Sequence, residues 1–485
     1  KKFAVLVSLI AVLGLLTSTC LTFANGVSNA VEVVQADVAV VGGGGAGLVA
    51  ALSAAEAGAK VVVLEKMGYL GGATMMSAGI IPAAGTRHQA EAGIEDSVDA
   101  FARDIFRPAH YSQRRELVYT VAENAKDIVE WMESLGVKWN LITTSLYVGQ
   151  SNYRMHQAEG QGMGIVRVLA NKVNEHPNID VLLETPGVGL VTNTNDEVIG
   201  VIAKKKDGTN VTVIANAVIL ATSGFAANRE MLAKYIPEAL HAYPMMAPGA
   251  TGEGIQWGLK LGADIANMKA YQGHAPFSVE LHESLELAIL YRGGILVTIE
   301  GDRFTNEYLG YSELAANVIN QPDHYAYMIF DSENAKMTAN FARYQAAGIV
   351  VEGNTAAELA EKLGMDPEKL QATFDDYEAG IKNGEDRFNR TKFPAEWKAP
   401  FYAIKVTGDL RHTQGGLVTD TQAHVLRTDG TAIPGLYAAG GVTEGFSSAG
   451  GPGYMSGNGL LQAFVFGRIA GQTAAAQAVS GANVD

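Results

Sequence analysis

The sequence predicts an α/β protein: a strand–glycine loop–helix–strand unit at the start, an α+β segment inserted into the domain it opens, and a return to that domain at the end. Three observations carry this. Asp37–Val41, a glycine loop, an alanine-rich helix from about Gly47 to Ala57 and Val61–Leu64 read as strand, loop, helix and strand. Residues 266–408 change character and mix short strands with well-signalled helices. Residues 409–485 resume the glycine-rich style and close in a helix from about Asn458 to Val479. The expected divisions are a leader at 1–24, a linker at 25–36, a first part of the binding domain at 37–265, the insertion at 266–408 and a second part at 409–485.

The leader reads as a secretory signal. Lys1 and Lys2 precede an apolar run from Phe3 to Leu16, and Thr22-Phe23-Ala24 offers a cleavage site. The run is short for a membrane span. A secreted, periplasmic or otherwise extracytoplasmic protein is therefore expected. Cys20 is the only cysteine, and Thr17-Ser18-Thr19 before it is a poor lipid-attachment context. Membrane contact is expected only through this leader or a lipid on Cys20. Cleavage after Ala24 leaves no cysteine, hence no disulfide, no Cys-ligated cluster and no Cys-x-x-Cys-His haem site. No metal site is expected.

The rest of the chain follows in order. Ser97 to Leu135 is mostly helical, and Val181 to Ile214 alternates as an antiparallel meander with turns at Asn193–Asp196 and Lys205–Gly208. Ala217–Leu220 returns to a buried-strand pattern. Within the insertion, Thr355 with Glu358 makes a capping box and Asp366-Pro367 a second helix start. At 48% hydrophobic and 18% charged, the chain can bury a large core and is not a disordered polymer. A net charge of −15 excludes nucleic acid as partner and suits docking to a basic protein.

Gly42, Gly44 and Gly47 form Gly-x-Gly-x-x-Gly, with Gly45 and Ala46 inside the loop and Glu65 at the end of the next strand. Gly42 permits the tight turn, Gly44 admits a pyrophosphate to the backbone, and Gly47 lets helix pack on strand. The helix N-terminus then faces the phosphate charge, and Glu65 would hold ribose hydroxyls. That motif serves NAD and FAD alike. Gly71-Gly72-Ala73-Thr74 and Ser77-Ala78-Gly79 follow closely and add backbone donors, where an NAD dehydrogenase would continue into further strand–helix repeats.

Together with Lys66, these segments resemble the FAD subunit family of fumarate reductase and succinate dehydrogenase. So do Leu220-Ala221-Thr222-Ser223-Gly224-Phe225, Gly301 to Glu307, His412-Thr413-Gln414-Gly415-Gly416 and Ile433 to Gly440. The resemblance implies a Rossmann-like, glutathione-reductase-type FAD domain and a capping domain that closes substrate against the flavin. It implies that Gly457, Asn458, Gly459 and Leu460 begin a helix facing the flavin pyrimidine edge. Covalent members carry a His where this chain has Ala73, so non-covalent FAD is expected.

The substrate pocket departs from that family. Where it places a proton-donating arginine this chain has Tyr311, and where it clamps a carboxylate with a second arginine it has Tyr454. The family's Thr-Glu pair, anchored on Arg292-Gly293, becomes Ala288 and Ile289. The two family histidines persist as His274 and His412, while Arg411 and Arg154 are candidates to refill the lost positive charge. Arg154 and His156 are expected near the pocket rim, and Arg303 in a fold-holding ion pair. Tyr311 with Gly451-Pro452-Gly453 also resembles the 3-ketosteroid dehydrogenases, in which a tyrosine exchanges the α-carbon proton and a glycine amide binds the ketone oxygen; Gly453 is the counterpart here.

Tyr311, His412, His274 and Tyr454 are thus the expected catalytic residues, and Gly453, Arg292 and Arg411 the expected substrate contacts. The leading expectation is reduction of an enone or enoate, with electrons from a cytochrome c or FMN protein. The alternatives are a ketone dehydrogenase passing electrons to a quinone, and a flavin electron carrier with no substrate chemistry of its own.

Overall fold

The computed structural model describes residues 31–481; the expected leader and Cys20 lie outside the described residues. Strand β1 spans Val31–Val41, helix α1 Gly45–Glu56 and strand β2 Val61–Leu64. Residues 31–36, expected as linker, are the first half of β1 and pair in register with Asn210–Ala215. Backbone pairing recruits them, since Val31 and Val33 stay exposed and burial begins at Val38. Helix α1 also starts two residues earlier than expected, because Gly42 at φ +111° completes the turn before the helix begins.

The first sheet runs His424–Leu426, Ala432–Ala438, Asn210–Leu220, β1, β2, Ile179–Leu182. From Ala432–Ala438 to Ile179–Leu182 its neighbours are parallel. The expected meander joins it as Gly187–Thr192, Val198–Lys204 and Asn210–Leu220, all antiparallel. Apolar cores cover both faces, one under α1 and the C-terminal helix Asn458–Gly481, the other under Phe225, Ile255 and Trp257. That burial on both sides is why β1 and β2 read as unbroken Val/Leu runs.

A second sheet is organised on the strand Phe401–Thr413, which pairs with Tyr271–Ser278, Ala326–Phe330, Val350–Gly353 and Tyr243–Pro244. The expected boundary at 408/409 falls inside this strand. Its first part lies in the inserted segment's core, and its last residues reach the first domain's cavity.

The insertion is held by a buried charge network. Arg303 meets Glu307 at 2.7 Å and Asp386 at 2.5 Å, and Arg390 meets Glu307 at 2.7 Å, with all four side chains at most 1% exposed. Arg303 thus has the structural role expected. Of the expected capping box at Thr355, half forms: Thr355 Oγ1 accepts from Glu358 N, but the Glu358 carboxylate accepts from Asn354 instead.

Glu307→Ala leaves two buried guanidinium groups without their shared carboxylate. It should cost about 3–5 kcal/mol, read as a shift of the urea unfolding transition, whereas Glu358→Ala should shift it by less than about 1 kcal/mol.

Candidate functional site

One cavity of about 690 Å³ runs from the glycine loop after β1 to the end of the strand Phe401–Thr413. At its outer end two glycine loops touch. Gly71 N donates to Gly43 O at 2.8 Å, and Gly44 bridges Gly71. A Cβ on Gly47 would lie 1.8 Å from Gly42 O, and one on Gly42 would lie 2.3 Å from Ala221 O. Helix, turn and strand can approach this closely only without side chains. Gly44 gives α1 no side-chain cap; Gly45 N donates to Thr74 Oγ1 at 3.2 Å, and Ala46 N is left at the cavity wall without a side-chain partner.

The expected cofactor residues divide in two. Gly42, Gly44, Gly45, Ala46, Glu65 and Lys66 line the cavity. So do Gly72, Ala73, Thr74 and Ser77, and, further in, Ala221, Thr222, Gly440, Gly457 and Leu460. Gly47, Gly71, Gly79 and Asn458 do not. Gly47 packs α1 on the turn, Gly71 ties the loops, and Gly79, at φ +64°, presses on Gln161. Asn458 is buried at the start of the C-terminal helix, its Oδ1 without a partner among the described residues.

Glu65 is more tightly used than expected. Its carboxylate accepts from Gly43 N and from Met67 N, both at 2.7 Å, so it locks the loop it follows as well as facing the cavity. Lys66 is paired with Glu253 at 2.9 Å and Thr251 at 2.6 Å. Sequence reasoning missed this trio, because Thr251 and Glu253 lie 185 and 187 residues from Lys66 in the chain.

At the inner end Tyr311, Tyr454, His274, His412 and Arg411 converge on the cavity. The His274 and Tyr311 rings stack at 4.9 Å; Tyr454 lies edge-on to Tyr311 at 6.0 Å and to His412 at 5.7 Å. Tyr311 opens the helix Tyr311–Ile319, and His274 comes from Tyr271–Ser278. In that pairing Gln272 faces His412 and Gly273 faces Leu410, which leaves Arg411 as the extra residue of a bulge. A bulge re-aims side chains, and here the consecutive Arg411 and His412 both line the cavity.

Burial governs the charges here. It pushes Tyr311 up to about 12, against Ser456, Arg411 and Tyr454, which favour its anion. Tyr454 is raised well above its ordinary value by burial and by Tyr311. Burial also lowers His274 to about 3 and His412 to about 4, so both are neutral near pH 7. Arg411 donates to Asp409 Oδ2 at 2.6 Å and Ser284 Oγ at 2.7 Å, while its Nε is buried without a partner among the described residues. Burial raises Asp409 to about 6, opposed by Arg411.

Three expectations are corrected. Arg154 is fully buried away from the cavity, bonded to Asp96 at 2.8 Å and Asp104 at 2.5 Å, and His156 is buried against Thr86 at 2.9 Å. Arg292 donates to Met337 O in an exposed setting and does not line the cavity. Gly453 is also outside the lining; a Cβ there would meet Ala109 and Ser448 at 2.8 Å. Sequence reasoning missed Gln272, Ser456 and Tyr147 in the wall. Gln272 was legible, two residues before His274 on a strand and so on the same face, and Ser456 lies two beyond Tyr454. Nothing marked Tyr147.

The outer end suits an adenine dinucleotide: a helix start with no side-chain cap, glycines where any Cβ would clash, and a carboxylate set beyond them. A model of the FAD binding domain matches residues 37–460. The NADH:fumarate oxidoreductase of Klebsiella pneumoniae (strain 342) is 35% identical over 91% of this chain and 48% of its own length, so the chain spans about half of that relative. The fumarate reductase (cytochrome) of Shewanella frigidimarina is 34% identical over 90% of this chain and 77% of its own. Among solved structures, the open conformation of a flavocytochrome c3 fumarate reductase superposes with TM-score 0.77 at 32% identity, over 92% of this chain and 79% of that one. A 3-ketosteroid-Δ4-(5α)-dehydrogenase from Rhodococcus jostii RHA1, in complex with 4-androstene-3,17-dione, also gives 0.77, at 25% identity, over 91% and 97%. The glycine cradle and these likenesses agree, and the chain belongs to the FAD binding domain family, among FAD-dependent oxidoreductases of the fumarate reductase type that act on CH–CH bonds.

Proposed function

We propose that the protein reduces an activated C=C bond, an enone or enoate, with FAD held non-covalently and Tyr311 as the proton donor. The observation that carries this is the pairing of Tyr311 with Tyr454 at the inner end of the cavity, stacked on His274. FAD, when bound, supplies hydride to the β carbon, and an external donor restores its two electrons. The remaining roles fall to the protein. Tyr311 keeps its proton, being raised to about 12, and delivers it to the α carbon as negative charge builds on the conjugated carbonyl. Ser456, Arg411 and Tyr454 each favour the tyrosinate left behind, which makes Tyr311 the better acid of the pair. The Arg411 guanidinium, whose Nη1 carries no hydrogen bond among the described residues, and the neutral histidines are available to polarise the carbonyl oxygen. Proton and hydride together saturate the bond.

Ala73 lies in the cavity wall with only a methyl group, which supports non-covalent FAD. The leader at 1–24 supports an extracytoplasmic site, and the net charge of −15 supports a basic cytochrome c or an FMN protein as electron donor. The second reading is the reverse reaction, dehydrogenation of a cyclic ketone. The two cavity tyrosines and the likeness to the ketosteroid dehydrogenase favour it.

Three outcomes check these assignments. Acid precipitation should release all flavin into the supernatant. With reduced viologen as donor, the FAD-loaded protein should reduce at least one member of a panel of enones and enoates, and failure on every member would reject the assignment. Tyr311→Phe should lower kcat by about 10²–10⁴-fold while a flavin difference spectrum shows unchanged ligand affinity; full turnover in that variant would remove Tyr311 from the reaction.

A further inference from the structure

Resting on that reading, we propose that Asp409 sets the substrate class. By holding Arg411 in an internal ion pair, it confines the pocket to conjugated carbonyl compounds with at most one carboxylate.

The charges at the inner end support this. Among the described residues Arg411 is the only Lys or Arg in this part of the wall; the other basic residue of the cavity lining, Lys66, is paired with Glu253 at the outer end. Asp409 is 0% exposed, lies behind the wall rather than in it, and takes Arg411 Nη2 at 2.6 Å. Ser284 holds the same nitrogen at 2.7 Å. Both flanking histidines are neutral near pH 7. The cation is thus already balanced before a ligand enters. What remains is the other side of the guanidinium: Nη1 carries no hydrogen bond among the described residues, and Nε is buried without a partner there. That suits one carbonyl oxygen or one carboxylate. A second carboxylate would be stripped of water with no cation to meet it, the costliest kind of burial.

The bulge makes the arrangement possible. Asp409 faces His274 across the two strands, and Arg411 is the residue with no opposite number. It is therefore free to fold its guanidinium back over Asp409 while still lining the cavity.

The test uses the FAD-loaded full chain and flavin difference spectra, which need no turnover. Cyclohex-2-enone, cinnamate and fumarate are titrated as neutral, singly and doubly charged probes. Wild type should bind fumarate at least about tenfold more weakly than cinnamate. Asp409→Asn, isosteric and neutral, should tighten fumarate about tenfold and leave cyclohex-2-enone within about twofold. The double variant Asp409→Asn/Arg411→Gln should abolish that gain. Fumarate equal to cinnamate in wild type, no gain in Asp409→Asn, a gain that survives in the double variant, or no spectral response to any probe would each overturn the proposal. If Asp409→Asn does not retain flavin, Asp409→Ser replaces it, and the wild-type comparison decides by itself. A protein that binds the probes in this order yet reduces nothing with viologen would sink the reductase reading instead, leaving the selectivity intact.

Discussion

The close approach of α1 to the turn after β1 is the constraint on which the rest depends. Gly47 lies so near Gly42 O that a Cβ would sit 1.8 Å away, and Gly42 lies almost as near Ala221 O. Packed this tightly, the helix starts with no side-chain cap; Gly45 N turns to Thr74 Oγ1 and Ala46 lies at the cavity wall. Glu65 then ties the loop down through Gly43 N and Met67 N. The outer end of the cavity is therefore a backbone site, specified by what side chains are missing.

The inner end is built by the opposite means, from side chains brought together by one long strand. Phe401–Thr413 begins in the core of the inserted segment and finishes beside the start of the C-terminal helix. Its bulge points Arg411 and His412 into the same space, while its partner strand brings Gln272 and His274. The two ends of the cavity thus meet on an element that belongs to both parts of the molecule. The Arg303–Glu307–Asp386–Arg390 network stiffens the inserted segment around it, with little exposure to water.

Electrostatics in this pocket follow from burial more than from composition. A chain with 51 acidic and 36 basic residues still encloses a substrate end that is close to neutral. His274 and His412 lose their protons, Tyr311 and Tyr454 keep theirs, and Arg411 is offset by Asp409. Low charge and an aromatic wall favour a ligand with an extended conjugated system over a compact, doubly charged one.

The sequence by itself determined the glycine turn, the parallel strands around it, the meander, the inserted segment and the approach of Tyr311, Tyr454, His274 and His412. The first four rest on local periodicity or on a motif whose spacing is fixed by backbone geometry, and the last on the resemblance to a known family. Only the tertiary structure decided which cations serve the site. Arg154, Arg292 and Arg411 look alike along the chain, yet the first is buried against Asp96 and Asp104, the second donates to Met337 O outside the cavity, and the third lines the cavity. A guanidinium's role is set by the carboxylates and the space around it, and these come from segments distant in sequence. The same holds for Lys66 with Glu253, for residues 31–36, which become sheet only because a strand nearly 180 residues later pairs with them, and for Asp409, whose effect exists only through a bulge.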